Sequence, residues 1–220
     1  LLSGHVTRSR TCELSQVSET MVTERIKTEL RQKQIIDAVA TLIFKSGSEH
    51  LTVRRIAKEV GITEGAIYRH FRSKKSILSF LLIHIEGILL HDISDKRASS
   101  GTITLSAIEE IIGNHFSAID QRKGFSFHVI AEIISLGDPE LNKQASQTIG
   151  KYIFLLKELL SDGVRDGAIR KDIDLDAAAT LLFALIQGLV NIWALGGCSF
   201  KLTEKYKSLW KIYRDDISSR

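Results

Sequence analysis

The chain has 220 residues, 44% hydrophobic and 25% charged, with a formal net charge of +4. These values fit one or two globular domains with a real core and exclude a disordered tail, a collagen-like chain and a disulfide scaffold. The charge is uneven, since residues 1–78 hold 14 Lys and Arg against 8 Asp and Glu, whereas residues 79–220 hold 16 against 18. A basic front end before a near-neutral remainder points to a polyanion met by the front alone. Pro139 is the only proline. Proline breaks helices and punctuates loops, so its scarcity favours long helices over a loop-rich β fold. Cys12 and Cys198 match no metal or redox spacing; they read as free thiols in a reducing cytoplasm.

Residues 1–21 carry no apolar signal-peptide core and read as a disordered leader. A first helix is predicted over 24–46, where Ile35, Ile36, Val39, Leu42 and Ile43 recur at helical spacing before Gly47. Thr52 caps a short helix over 53–60 with Val53, Ile56, Ala57 and Val60 on one face, and Gly61 ends it. Thr63 caps another over 64–70, with Ile67 and Phe71 inward. Ser73 caps a long helix to about Asp95. Further helices follow over 103–121, 125–136, from Asp138-Pro139 to Arg165, over 175–195 after Asp174, and over 204–217 after Thr203. No segment alternates with the period of a strand, so the fold class is all-α, with about nine helices.

The two short helices flank a tight turn at Gly61-Ile62, which is helix-turn-helix spacing. The second helix of such a pair lies in the major groove and reads base edges from its N-terminal residues. With Ile67 and Phe71 turned inward, Glu64, Gly65, Ala66 and Arg69 are left to face bases. Arg54 on the supporting helix can reach a base or a phosphate, and guanine is the favoured partner of arginine in the groove. Thr52 and Thr63 stand at helix starts, where hydroxyls and open N–H groups suit phosphates. Tyr68 and His70 add neutral donors. Lys74 and Lys75 occupy the first turn of the long helix, the wrong end of its dipole for a cation. A phosphate outside the helix would account for them.

The run from Leu51 to Lys74 resembles the signature of the tetracycline-repressor (TetR) family at Thr52, Ile56, Ala57, Gly61, Tyr68, His70, Phe71 and Lys74, with Ile62 and Thr63 in place of the usual valine and serine. The resemblance implies a homodimeric repressor. A three-helix helix-turn-helix unit over 22–72 would bind a palindromic double-stranded operator. A helical body over 73–220 would bind a small-molecule effector and dimerise. It also implies that Tyr68, His70, Lys74 and Thr63 hold phosphates, while residues 64–66 and Arg69 face bases with Arg54 assisting. Effector contacts do not carry over, because the body shares no motif of that kind.

Residues 177–200 contain no charge and reach the length of a membrane span. Gln187, Asn191 and two glycines dilute the run, and a helix apolar nearly all round also suits the core of a bundle. Burial in a dimer is the expectation, with no membrane, through a four-helix bundle across a two-fold axis. The expected interface residues are Leu181, Leu185, Gly188, Trp193, Leu209, Trp210 and Tyr213. His128 and Glu132 lie one turn apart beside Phe127. They read as a surface pair or, with His115 and Phe116, as the lining of an effector pocket, since such pockets are apolar with a few polar groups. His84, His91 and Asp95 share a face but spread too far along one helix to hold a metal. No phosphate-binding loop, nucleophile elbow or zinc-hydrolase motif occurs, so neither an enzyme nor a cofactor is expected. The expected function is a ligand-controlled DNA switch in the cytoplasm. The alternatives are a constitutive DNA binder whose body takes a protein partner and, more remotely, an enzyme on a helical scaffold.

Overall fold

A computed structural model describes residues 28–43, 45 and 51–219. Among these residues the fold is all-α, as expected, with nine helices and one isolated bridge between Ile169 and Ser218. Helix α1 covers residues 28–43. It is followed by α2 (Val53–Val60), α3 (Glu64–His70), α4 (Lys74–Ser99) and α5 (Leu105–Gln121). The remainder are α6 (Phe125–Leu136), α7 (Pro139–Arg165), α8 (Leu175–Leu195) and α9 (Leu202–Ile217). The expected leader over 1–21 and the expected ends of α1 lie outside the described residues.

The chain divides into two compact units that meet at Lys74 and Lys75. In the first, Ile35, Val39, Ile56 and Ile67 are fully buried and Phe71 nearly so. The cap signals act as the sequence implied. Thr52 Oγ1 accepts from Arg55 N–H and Thr63 Oγ1 from Ala66 N–H, both at 3.2 Å. Gly61 takes φ +76°, a left-handed conformation that glycine adopts without steric cost. Ile62 N–H then reaches back to the Ala57 carbonyl at 2.9 Å and closes α2.

In the second unit, Asp138 caps α7 through Glu140 N–H and Leu141 N–H, with Pro139 in the first turn. The start of α9 differs from expectation. The helix begins at Leu202, and Thr203 lies inside the first turn instead of capping it. Leu202 is fully buried, and that burial draws the chain into helix two residues early. Helices α4 and α8 are both long and apolar enough to cross a membrane. Each uses an apolar face as core, with Leu78, Leu81 and Ile85 of α4 and Leu182, Ile186 and Trp193 of α8 buried. The end of the chain is pinned beside the α7–α8 loop by Arg170 N–H to the Ile217 carbonyl and Ser219 N–H to the Ala168 carbonyl.

Three ionic ties fix α4 against α7. Lys75 pairs with Asp138 and Glu140 at 3.0 and 2.8 Å. Glu86 pairs with Lys151 at 2.6 Å and accepts from the Thr148 hydroxyl. Arg97 pairs with Asp162 and reaches Glu158 at 3.6 Å. Both sequences ascend together, so the two helices run parallel. The rungs fall at Lys75, Glu86 and Arg97 on one helix and at Glu140, Lys151 and Asp162 on the other, eleven residues apart in each case. Eleven residues make three turns and return to the same face. The signs alternate along each helix, so a slip of three turns sets like charges opposite each other at every remaining rung. The ladder also corrects the expectation for Lys75. Its ammonium at a helix start is met by the acids of α7, which raise its pKa, the Glu140 hydrogen bond most.

Glu86→Lys places two cations at the middle rung and is expected to lower stability by about 0.5–1 kcal/mol. Adding Lys151→Glu is expected to restore most of that loss in urea unfolding. A double variant no more stable than the sum of the two single effects would refute the ladder as a specific pairing.

Candidate nucleic-acid interface

Helix α3 is amphipathic over only seven residues. Ile67 and Phe71 are buried, whereas Glu64, Gly65, Tyr68 and Arg69 are exposed and Ala66 and His70 are half-buried. The residues expected to face bases therefore share the open side of one helix. Gly65 has no packing reason to be glycine, because a Cβ there would meet only Thr63 Oγ1, at 3.9 Å. Glycine inside a helix costs about 1 kcal/mol relative to alanine. An open, unpacked glycine at the start of the helix lets another molecule approach the backbone closely.

Thr52 and Thr63 are exposed, but each hydroxyl oxygen already accepts a backbone N–H. Each can still donate its proton to a phosphate. Arg54 and Arg69 are exposed and have no ion-pair partner among the described residues. Lys74 is half-buried and already engaged within the chain. His70 lines a groove of about 310 Å³ with Thr28, Leu30, Arg31 and Gln34. Arg31 and Gln34 escaped the sequence reading because α1 lies far from the turn in sequence, and nothing in its local pattern marks them.

The residues expected to line one effector pocket separate in the second unit. His115 is fully buried, with Nδ1 3.1 Å from Asp92 Oδ2 and Nε2 2.6 Å from the Tyr152 hydroxyl. Arg122 donates two hydrogen bonds to Asp92, at 2.8 and 2.6 Å. Burial alone would raise the Asp92 pKa, but the hydrogen bonds from His115 and Arg122 outweigh it and hold the carboxyl below its ordinary range. Burial keeps the Tyr152 hydroxyl protonated. A protonated hydroxyl donates to Nε2, and a carboxylate accepts from Nδ1–H, so the network is satisfied with a neutral imidazole. Phe116 turns to a different side of α5 and stacks on Tyr206, with ring centroids 4.8 Å apart. It belongs to the α5–α9 core and not to a pocket with His115. Phe127 and Glu132 are buried, and His128 is half-buried, its pKa lowered by desolvation.

The expected interface residues also divide. Trp193, Trp210 and Tyr213 are buried within the chain's own core. The aromatic stripe of α9 packs back on α5 and α8, where Tyr213 donates to the Ala178 carbonyl at 2.9 Å. Leu181 stays exposed, and Leu185, Gly188 and Leu209 are half-buried. Ile192, Leu195 and Ile212 extend this apolar face, with exposures of 64%, 90% and 72%. His84 and His91 are exposed on α4, and no metal-binding cluster occurs among the described residues.

Residues 35–79 match the family of bacterial regulatory proteins, tetR family, and residues 87–214 match the C-terminal region of YsiA-like proteins. The fatty acid metabolism regulator protein of Bacillus subtilis (strain 168) is 25% identical over 191 residues, 85% of this chain and 95% of that one. The HTH-type transcriptional repressor KstR2 of Rhodococcus jostii (strain RHA1) is 30% identical over 192 residues, 86% of this chain and 92% of that one. The crystal structure of FadR from Bacillus subtilis in complex with stearoyl-CoA shares the fold at a TM-score of 0.74 and 24% identity, over 84% of this chain and 98% of that one. These relatives are transcription regulators and not enzymes.

Asp92 is stabilised in its ionised form by the fold, so its contribution is present above the ordinary carboxylate range and is lost as pH falls through its depressed folded value. Stability is therefore expected to decline with acid below about pH 4. Asp92→Asn should start less stable at pH 7 and show a shallower acid decline in denaturant unfolding at several pH values. Parallel curves for the two proteins would dismiss the carboxylate as the cause.

Proposed function

This chain belongs to the tetR family of bacterial regulatory proteins, and we propose that it is a cytoplasmic homodimeric repressor released from a palindromic operator by an acyl-bearing effector. It is a ligand-responsive transcription regulator and not an enzyme. The observation that carries the DNA-reading role is the open side of α3, where Gly65, Tyr68 and Arg69 stand exposed above buried Ile67 and Phe71. Glu64, Ala66 and Arg69 face bases, with Arg54 assisting from α2. Thr52, Thr63, Tyr68, His70 and Lys74 hold phosphates around them. Two such heads on a dimer meet successive major grooves about 34–36 Å apart, which makes the operator a palindrome.

The apolar face of α8 and α9 supports pairing with a second copy. Leu181, Leu185, Gly188, Leu209, Ile192 and Ile212 offer a surface of the kind that two-fold interfaces bury. The effector class is supported by the relatives, one named for fatty acid metabolism and one solved with stearoyl-CoA bound. Linkage then requires that operator DNA weaken effector binding by the same factor by which effector weakens operator binding.

Selection of bound sequences from a random duplex library supplies the operator for the tests. Tyr68→Ala with Lys74→Ala is expected to weaken operator binding and to lower the salt slope by about 1, from the lysine alone, since the neutral tyrosine releases no counterion. Unchanged binding in fluorescence anisotropy would refute the interface. Palmitoyl-CoA should release the operator, and a complex indifferent to it would leave DNA binding constitutive. Ile192→Glu is expected to give a monomer in sedimentation and to abolish palindrome preference, whereas a dimer that survives the charge would move the interface elsewhere.

A further inference from the structure

Helices α5 and α9 pack antiparallel. Ile103 N–H, just before α5, donates to Asp166 Oδ2 at 2.7 Å, and Arg170 N–H donates to the carbonyl of Ile217 at the end of α9. The start of one helix and the end of the other are thus held by the same α7–α8 loop. Between the two helices runs a groove of about 440 Å³, within the range of small-molecule sites. Tyr206 forms its floor, buried, with its ring on Phe116 and its hydroxyl donating to the Glu109 carbonyl at 3.3 Å. Gly113 keeps that floor low. A Cβ there would meet the Tyr206 ring at 3.7 Å, an ordinary contact, so packing does not demand glycine in a helix interior where alanine is favoured. The walls carry opposite charges. Glu109, half-buried, and Glu110, exposed, stand on α5, and Lys207 stands exposed on α9. No ion pair crosses the groove, and none of the three has an ion-pair partner among the described residues. The α4–α7 seam, in contrast, spends its charges on one another.

Two unspent carboxylates on one wall and one ammonium on the other are complemented by two cations and one anion on an aliphatic stem. We propose that the α5–α9 groove binds a free dibasic amino acid. Its two cationic groups meet Glu109 and Glu110, its carboxylate meets Lys207, and its methylene chain lies over Gly113 and Tyr206. Helices packed side by side have axes about 8–10 Å apart, a span that a lysine or arginine molecule bridges. Lys207 sets the specificity. It repels a plain diamine, which has no carboxylate to offer it, and the two glutamates leave one charge unanswered when a monoamino acid binds. None of these residues belongs to the surface assigned to DNA or to the apolar face assigned to a second copy, so the site stands or falls independently of both.

The test is isothermal titration of the full chain with L-lysine, L-arginine, cadaverine and norleucine. One of the two dibasic amino acids is expected to bind at least tenfold more tightly than cadaverine, which lacks the carboxylate, and than norleucine, which lacks the side-chain cation. Glu109→Gln with Glu110→Gln keeps the shape of both side chains, so the fold should survive, as circular dichroism would report. Its affinity for the binding amino acid is expected to fall at least tenfold. Lys207→Met should weaken the amino acid several-fold while cadaverine binds as well as before or better, a crossing that loss of structure would not produce. Lys143→Met, which replaces an exposed lysine of α7 outside the groove, should bind as the parent does. If neither amino acid binds, or if cadaverine and norleucine bind as tightly, the site is refuted. Full affinity in the doubly substituted protein, or an equal loss for amino acid and diamine in Lys207→Met, overturns it as well. If the double variant fails to fold, the Lys207→Met comparison decides alone.

Discussion

The three-rung charge ladder that aligns α4 parallel to α7 is the constraint that sets the register of these two helices. A purely apolar seam between two long helices can slide by whole turns at little cost, because one leucine resembles another. Here each rung of the charge ladder has the opposite sign to the next, so only one register satisfies all three. Single exposed pairs contribute little to stability. Their value here is selective, as a three-turn slip sets like charges face to face and shorter slips leave the rungs unpaired. The same ladder accounts for a lysine at the start of α4 that the helix dipole disfavours.

A second organising feature is the buried polar network of Asp92, His115, Tyr152 and Arg122. It joins α4, α5 and α7 at a depth where an unpaired polar atom costs about 1–3 kcal/mol. Each group finds its partner only when the three helices are correctly placed. Together, ladder and network make the body a unit in which α4 has one preferred position. A regulator needs such a position, since a ligand can shift an equilibrium only between states that are distinct.

The first unit follows different rules. Its helices are short and their caps are local, and the open side of α3 is defined by which residues its small core does not use. The glycine at position 65 is informative because nothing within the chain requires it. An open glycine in a helix start, beside an exposed tyrosine and arginine, leaves a surface that suits the DNA-reading role proposed for it.

Much of this was legible in the amino-acid order. Helical periodicity, the caps at Thr52, Thr63 and Asp138, and the turn at Gly61 are determined within a few residues, so they could be read without the fold. The helix-turn-helix spacing and its inward pair, Ile67 and Phe71, follow from the same short range. The eleven-residue spacing of Lys75, Glu86 and Arg97 against Glu140, Lys151 and Asp162 was also present, but a charge pattern has meaning only once two helices are known to be parallel neighbours. Tertiary structure alone decided which side of an apolar helix is core. Trp193, Trp210 and Tyr213 had the composition of an interface and became core, while Ile192, Leu195 and Ile212 were left outside. Likewise His115 and Phe116, adjacent in sequence, went to different neighbours. Periodicity states that a helix has an apolar face, whereas the partner that covers it is fixed by packing between residues far apart in the chain.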